Sequence, residues 1–308
     1  MRTNHLQSKQ LRLLEVADMF LREEKRKVRK DIRPSTYRTY EIRNKNLIKY
    51  LMATGKKDIK LDDVNLKFID QMERYFLYDR GVSYDHARRV ISQLKQVINY
   101  AHLYEFTSKN IIQGYKLKRS KPKELVHLTE QELDRLMHIT IATPKIRQAA
   151  DLFKFQCWTG LAYGDLTQFS IKNLERDKDG DWISYTRIKN GYSEAILPLL
   201  KEAEDILKKY DYQLPYLDNS KYNLYLKELA DIMGIQKRLT THVGRKTFGM
   251  IMLNCGVSLE VVSKMLGHKS VKTTQDTYAQ VLKKRIAKDM KKYFPERPLN
   301  TGKLIVLR

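Results

Sequence analysis

Apolar residues recur at three- and four-residue spacing through most of the first 115 positions, which predicts helices. The stretch "QLRLLEVADMFLREEKRK" places Leu13, Val16, Ala17 and Phe20 on one face. In "RPSTYRTYEIRNKNLIKYLMATG" a helix is expected to start after Pro34, with Ser35 as its cap. It carries Tyr40, Leu47, Ile48 and Leu51 inward and stops at Gly55. "NLKFIDQMERYFLYDRG" and "SYDHARRVISQLKQVINYAHLYEF" complete a four-helix set. In the last helix Val90, Leu94, Val97, Ile98 and Ala101 face inward, and Arg88, Arg89 and Lys95 lie elsewhere on its circumference.

The periodicity then breaks. "YKLKRSKPKELVHLT" is basic, interrupted by Pro122 and aperiodic, and it ends where Thr129 and Glu132 form a capping signature. A flexible basic linker over 115–128 is expected, placing a domain boundary at residue 122. Helices resume and give way to "IKNLERDKDGDWISYTRIKNGYSEAILPLL", where Asp-Gly and Asn-Gly punctuate β-rich runs. A small antiparallel sheet is expected over roughly 170–198, with helices again from Leu199. The fold class is therefore mainly α with a small antiparallel β-sheet, in two domains, 1–122 and 123–308.

Composition narrows the partner. The chain has 308 residues, and its 59 Lys and Arg against 36 Asp and Glu give a net charge of +23. Such an excess, spread along the whole chain, favours a polyanion, because each neutralised phosphate releases counterions. Nucleic acid leads over an anionic membrane surface. Two cysteines about a hundred positions apart make neither a disulfide framework nor a zinc knot, and they suit a reducing cytosol. The first twenty residues carry no signal-peptide pattern, and no run approaches the roughly 20 apolar residues a membrane span needs. A soluble, cytoplasmic protein is expected. There is no Gly-x-x-x-x-Gly-Lys loop for a nucleotide, no structural-zinc spacing and no convincing two-metal acidic set, so no cofactor or metal is expected.

Three short pieces of the second half carry chemistry when taken together. "THVGRKTFG", after capping threonines, puts His242 and Arg245 three apart on one helical face, near an end that favours anions. "VSKMLGHKS" ends a helix at Gly267, with His268 following. "VKTTQDTYAQVL" carries Tyr278. Each alone has a bland reading: a surface helix, an ordinary C-cap, a packing tyrosine. Their order and spacing are distinctive, with Gly-His ending 23 residues after Arg245 and Tyr278 ten further on.

This arrangement resembles the catalytic domain of tyrosine recombinases, the phage-integrase type of DNA strand-exchange enzyme, and is closest in feel to integrases of integrative and conjugative elements. "TGLAYGDL", 159–166, is similar to that family's Thr-Gly-Leu-Arg-x-x-Glu/Asp-Leu box, and "LGHKSVKTTQDTYAQV" to its closing signature. "RIKNGYSEAILPL" matches the hairpin that presents the family's lysine, here Lys189. The N-terminal helices resemble the core-site-binding domain in kind. The additional arm-site-binding domain that many such integrases carry ahead of the core is not expected within these 308 residues.

The resemblance implies a C-shaped clamp around double-stranded DNA that cleaves and rejoins strands through a 3′-phosphotyrosyl intermediate without metal or ATP. Tyr278 would be the nucleophile. Arg245 would grip the phosphate with a planar fork, and His268 would donate to a nonbridging oxygen. Lys189 would protonate the leaving 5′ oxygen, and His242 would hold the phosphate and assist proton transfer. Losing one such donor costs about 3–4 kcal/mol of barrier stabilisation. One member is missing: Ala162 stands where the family places its first arginine. Arg147 or Arg187 could replace it, the site could run on fewer donors, or the chain could be a non-catalytic DNA-binding clamp of the same fold. Asp165 is expected to brace its local helix.

Candidate DNA contacts are Arg38, Lys45, Arg88 and Arg89 on helices and Lys118 and Arg119 in the linker. The resemblance further implies a tetramer on two DNA sites, with accessory DNA-bending or directionality proteins as possible partners. In "AQVLKKRIAKDMKKYF" an amphipathic register of Val281, Leu282, Ile286, Met290 and Phe294 predicts a helical tail that docks into a neighbouring protomer.

Overall fold

The computed structural model describes residues 11–107, Tyr115, 124–189, Gly191 and 193–278. The predicted tail and the linker residues Lys118 and Arg119 lie outside the described residues. The chain divides into two compact units, Met1–Pro122 and Lys123–Arg308.

In the first unit, α1 (Leu13–Arg26), α2 (Pro34–Ala53), α3 (Leu66–Arg74) and α4 (Tyr84–Leu103) pack around one apolar cluster. The predicted inward residues of α1 and α4 are buried, as are Leu47 and Leu51 of α2, whereas Ile48 is only half-buried. Ser35 does not cap α2. The helix begins at Pro34, whose fixed φ suits the first position, and Arg33 precedes it in extended backbone. Caps form elsewhere: Asn65 accepts from the Phe68 N–H and Ser83 from the His86 N–H. The third helix widens into a π-helical turn over Tyr75–Asp79, closed by the Arg80 N–H donating to the Tyr75 carbonyl.

The second unit is built on α6 (Pro144–Thr159), which packs against α8 (Lys201–Lys209), α9 (Asn219–Ile232) and α10 (Thr241–Asn254). Before it, α5 (Glu130–His138) opens on the expected capping box. Thr129 accepts from the Glu132 N–H, and the Glu132 carboxylate accepts from the Thr129 N–H. The residues just ahead, expected as free linker, are tied down. Leu128 is buried and its N–H donates to Thr247 Oγ1 at 2.9 Å.

A short helix, α7 (Tyr163–Leu166), leads to the sheet. Strands β1 (Leu174–Asp177), β2 (Gly180–Thr186) and β3 (Glu194–Pro198) form an antiparallel meander in the order β1-β2-β3. The register pairs Asp177 with Gly180 across the tight Asp-Gly turn and Thr186 with Glu194 across the second hairpin. That hairpin is closed at its base. The Arg187 N–H donates to the Ser193 carbonyl and the Gly191 N–H to the Arg187 carbonyl, both at 2.8 Å. Ile183 and Leu197 point into a core with Phe248, Leu253, Val262 and Leu266. After α10 come α11 (Leu259–Met265) and, at the end of the described residues, helical backbone over 271–278, labelled α12. The sheet and α10–α12 thus meet at one place.

No helix among the described residues is long and apolar enough to cross a membrane.

Candidate active site

Two helix C-termini converge on one guanidinium. Arg245, on α10, is buried, and its Nη1 donates to the Gly160 carbonyl at 2.6 Å and its Nη2 to the Leu266 carbonyl at 2.5 Å. Gly160 is the left-handed C-cap of α6 and Leu266 the C-cap of α11. These carbonyls lie at the negative ends of their helices and lack helical partners, so a cation there is doubly favoured. Gly160 is required: a Cβ would fall 2.5 Å from the Phe248 ring, and its φ is +67°. Burial, followed by the nearby charge of Arg187, lowers the Arg245 pKa.

Arg187 reaches the same oxygen from the sheet. Its Nη1 donates to the Leu266 carbonyl at 2.8 Å, and its Nε lies 2.7 Å from Asp165 Oδ2, close but off the line of a hydrogen bond. Asp165 Oδ1 accepts the Ile188 N–H at 2.9 Å. The carboxylate expected to brace its own helix instead holds the base of the hairpin that carries Lys189. Gly267 lets the chain pass: a Cβ there would lie 2.7 Å from Arg187 Cγ.

His268 follows directly. Its Nδ1 is 2.7 Å from Thr274 Oγ1, one turn before Tyr278 on α12, which fixes the ring. Burial, then Arg245 and Arg187, lower its pKa to about 4, so it is a neutral imidazole at physiological pH. His242 sits exposed at the rim on the first turn of α10. Its pKa is lowered by partial desolvation and by Arg245, Lys246, Lys189 and Arg187 around it. Thr240 occupies the N-cap position but its hydroxyl does not cap; Asn223 Oδ1 accepts the Thr241 N–H instead. Lys189 is exposed beyond the pinned hairpin base.

Tyr278 is both core and site. Its ring belongs to the cluster of Ile183, Leu197, Phe248 and Leu266, and 1% of the residue is exposed. Its hydroxyl rests on Gly249 of α10, where a Cβ would lie 2.0 Å from it. Gly249 is one turn beyond Arg245 on the same helical face. Burial pushes the phenol pKa up to about 12, with Arg245 opposing.

The structure thus brings together Arg245, Arg187, His268 and Tyr278, with His242 and Lys189 at the rim. Arg147 is elsewhere. It lies on the first turn of α6, 13 residues from Gly160 and so about 20 Å along the helix axis, in a separate pocket with Asp151, Lys154 and Lys209. Sequence reasoning missed Tyr185, two residues before Arg187 on β2. Its buried hydroxyl has no hydrogen-bond partner, and its raised pKa, caused chiefly by burial, is partly offset by Arg245.

In the first unit Arg38, Lys45 and Arg89 are exposed and Arg88 is half-buried with an unpartnered Nε. Sequence reasoning also missed Arg43, whose pKa is lowered by burial and then by Arg89. Among the described residues no three His, Cys, Asp or Glu side chains are grouped to hold a metal ion.

Cationic and neutral donors, a buried phenol and a meander beside α10 define the class: tyrosine-type site-specific recombinases. The chain belongs to the phage integrase family, whose model matches residues 127–285, and a phage integrase SAM-like domain matches 12–118. It is 24% identical to the tyrosine recombinase XerC of Pediococcus pentosaceus over 268 residues, 80% of this chain and 87% of that protein. It is 26% identical to XerD of Oceanobacillus iheyensis, over 72% of this chain and 80% of that one. Among solved structures, a lambda integrase dimer bound to a COC′ core site aligns with a TM-score of 0.70 at 16% identity, covering 87% of this chain and 95% of that one. The Tn1549 transposon integrase with circular intermediate DNA gives 0.63 at 15% identity, covering 90% of this chain and all of that one.

Proposed function

We propose that this recombinase is an integrase-type enzyme that cuts and rejoins duplex DNA through a 3′-phosphotyrosyl intermediate, with Tyr278 as nucleophile. The observation that carries the reading is the placement of the Tyr278 hydroxyl one helical turn from Arg245, whose guanidinium is held by two helix C-termini. Tyr278 Oη attacks phosphorus, the P–O5′ bond breaks, and the phenol proton leaves to His242, which is neutral and can accept it. Lys189 gives a proton to the departing 5′ oxygen. The five-coordinate transition state places charge on nonbridging oxygens, and Arg245 and the neutral N–H of His268 stabilise it. The bond energy is kept in the phosphotyrosyl ester, so religation needs no nucleotide. In the resting protein the phenol is buried and protonated, so DNA binding must bring phosphate and hydroxyl together.

Both units contact the duplex, with Arg38, Arg43, Lys45, Arg88 and Arg89, and the linker residues Lys118 and Arg119, on phosphates. Four protomers act on two DNA sites in the cytoplasm, aided by accessory DNA-bending proteins. The test uses nicked suicide duplexes from the ends of the DNA element that carries the gene. A 3′-linked protein–DNA adduct with wild type and none with Tyr278→Phe is expected. Salt-sensitive binding with no adduct, on DNA containing the true site, would leave the non-catalytic clamp.

A further inference from the structure

The first arginine of the family box is absent at Ala162, which is the extended residue before α7 and offers only a methyl group. Of the five buried side-chain polar atoms without an aligned hydrogen bond among the described residues, Asp165 Oδ2 and Arg187 Nε face each other at 2.7 Å as an ion pair, and the Tyr185 hydroxyl, two residues before Arg187, has no partner. Buried polar atoms are almost always satisfied, so the Tyr185 hydroxyl is an exception, and it lies within the field of Arg245 and Arg187. Arg187 is buried at 8% exposure, shares the Leu266 carbonyl with Arg245, and has an Nη2 that carries no hydrogen bond among the described residues. Arg187 and Arg245 are two buried cations, and Asp165 is the one buried carboxylate of the second unit that pairs with either of them among the described residues.

We infer that Arg187, delivered by the end of β2 and held by Asp165, is the second phosphate-gripping arginine of this site and takes over the task that Ala162 leaves undone. The assignment rests on the recombinase reading above. Two features favour a built position over an accidental one. Gly267 has no side chain where a Cβ would collide with the Arg187 stem, so the loop carrying His268 is shaped around it. Asp165 holds both the Arg187 Nε and the Ile188 N–H, so the arginine and the following Lys189 are set by one carboxylate. Phosphate grip and leaving-group protonation are thereby placed on the same hairpin.

The test compares wild type and Arg187→Ala on two suicide duplexes, one with an ordinary scissile phosphate and one with a methylphosphonate there. The methylphosphonate has no nonbridging charge to neutralise. Arg187→Ala is expected to slow adduct formation about 100- to 1000-fold on the phosphodiester. On the methylphosphonate the gap to wild type should close to less than about 10-fold, since the lost charge no longer matters. Wild-type rates on the phosphodiester, or an equal loss on both substrates, would overturn the assignment, the second result marking a purely structural arginine. If the alanine protein does not fold, Arg187→Lys keeps a cation beside Asp165 and is judged by the same ratio of substrates. Absence of any adduct with wild type on the phosphodiester would instead remove the recombinase reading itself.

Discussion

The Tyr278 hydroxyl lies against the backbone of Gly249, so closely that a Cβ at that position would be 2.0 Å from Oη and 2.5 Å from Cζ. A glycine in a helix interior costs roughly 1 kcal/mol relative to alanine, so its presence needs a reason. The reason is the ring it accommodates. Gly249→Ala is expected to lower stability by about 1–3 kcal/mol through overpacking. In the Tyr278→Ala background the same substitution should be neutral or stabilising. Thermal unfolding of the four proteins of this cycle measures the coupling, and additive effects would refute the contact.

Gly267 offers a sharper comparison. Both Gly267 and Gly234 have positive φ, +58° and +64°, but a Cβ at 234 meets nothing within 4 Å. Gly234→Ala should therefore cost only the backbone strain, about 1 kcal/mol. Gly267→Ala adds the collision with Arg187 and should cost roughly 1–3 kcal/mol more while also slowing DNA cleavage. Denaturant midpoints and adduct yields for the two variants check this, and equal costs would speak against Arg187 filling the space.

His268 predicts a pH dependence. Its pKa is about 4 in the folded protein against 6.5 for an unperturbed histidine. The unfolded state then binds more protons between these values, so the stability tied to neutral His268 is complete above about pH 6.5 and is lost progressively toward pH 4. Allowing for partial exposure, the amount is on the order of 2 kcal/mol. Melting curves of wild type and His268→Gln between these pH values should diverge in slope, with the variant less sensitive to acid. Parallel curves would contradict the assignment.

In the first unit Arg43 is forced close to Arg89, which is unfavourable unless an anion arrives. Arg43→Ala and Arg89→Ala are each expected to weaken DNA binding and to reduce the slope of log affinity against log salt by about one. Titrations across a range of salt concentrations give the slopes. Unchanged slopes would make both residues ordinary surface charge.

Much of this architecture was legible in the sequence, because hydrophobic period and turn chemistry are local. The helical faces of α1 and α4, the capping box at Thr129 and the Asp-Gly turn of the sheet all follow from spacing of a few residues. The Ser35 cap failed for a local reason as well: Pro34 already supplies the first helical residue. The site was only partly legible. Spacing put His242, Arg245, His268 and Tyr278 in order, but it could not tell Arg147 from Arg187 as substitutes. That choice depends on a carbonyl, Leu266, and a carboxylate, Asp165, contributed by distant segments. Tyr185 and Arg43 carried no motif at all. The burial of Tyr278 also escaped, since its helix looks polar and the apolar partners lie on β2, β3 and α10.

The most direct test of the central claim is to locate the covalent bond. Wild-type protein trapped on a suicide duplex would be digested with protease and nuclease, and the nucleotide-bearing peptide sequenced by mass spectrometry. The account predicts a 3′-nucleotide on Tyr278 and on none of the other 18 tyrosines of the 19 in the chain. A nucleotide on any other residue would contradict it.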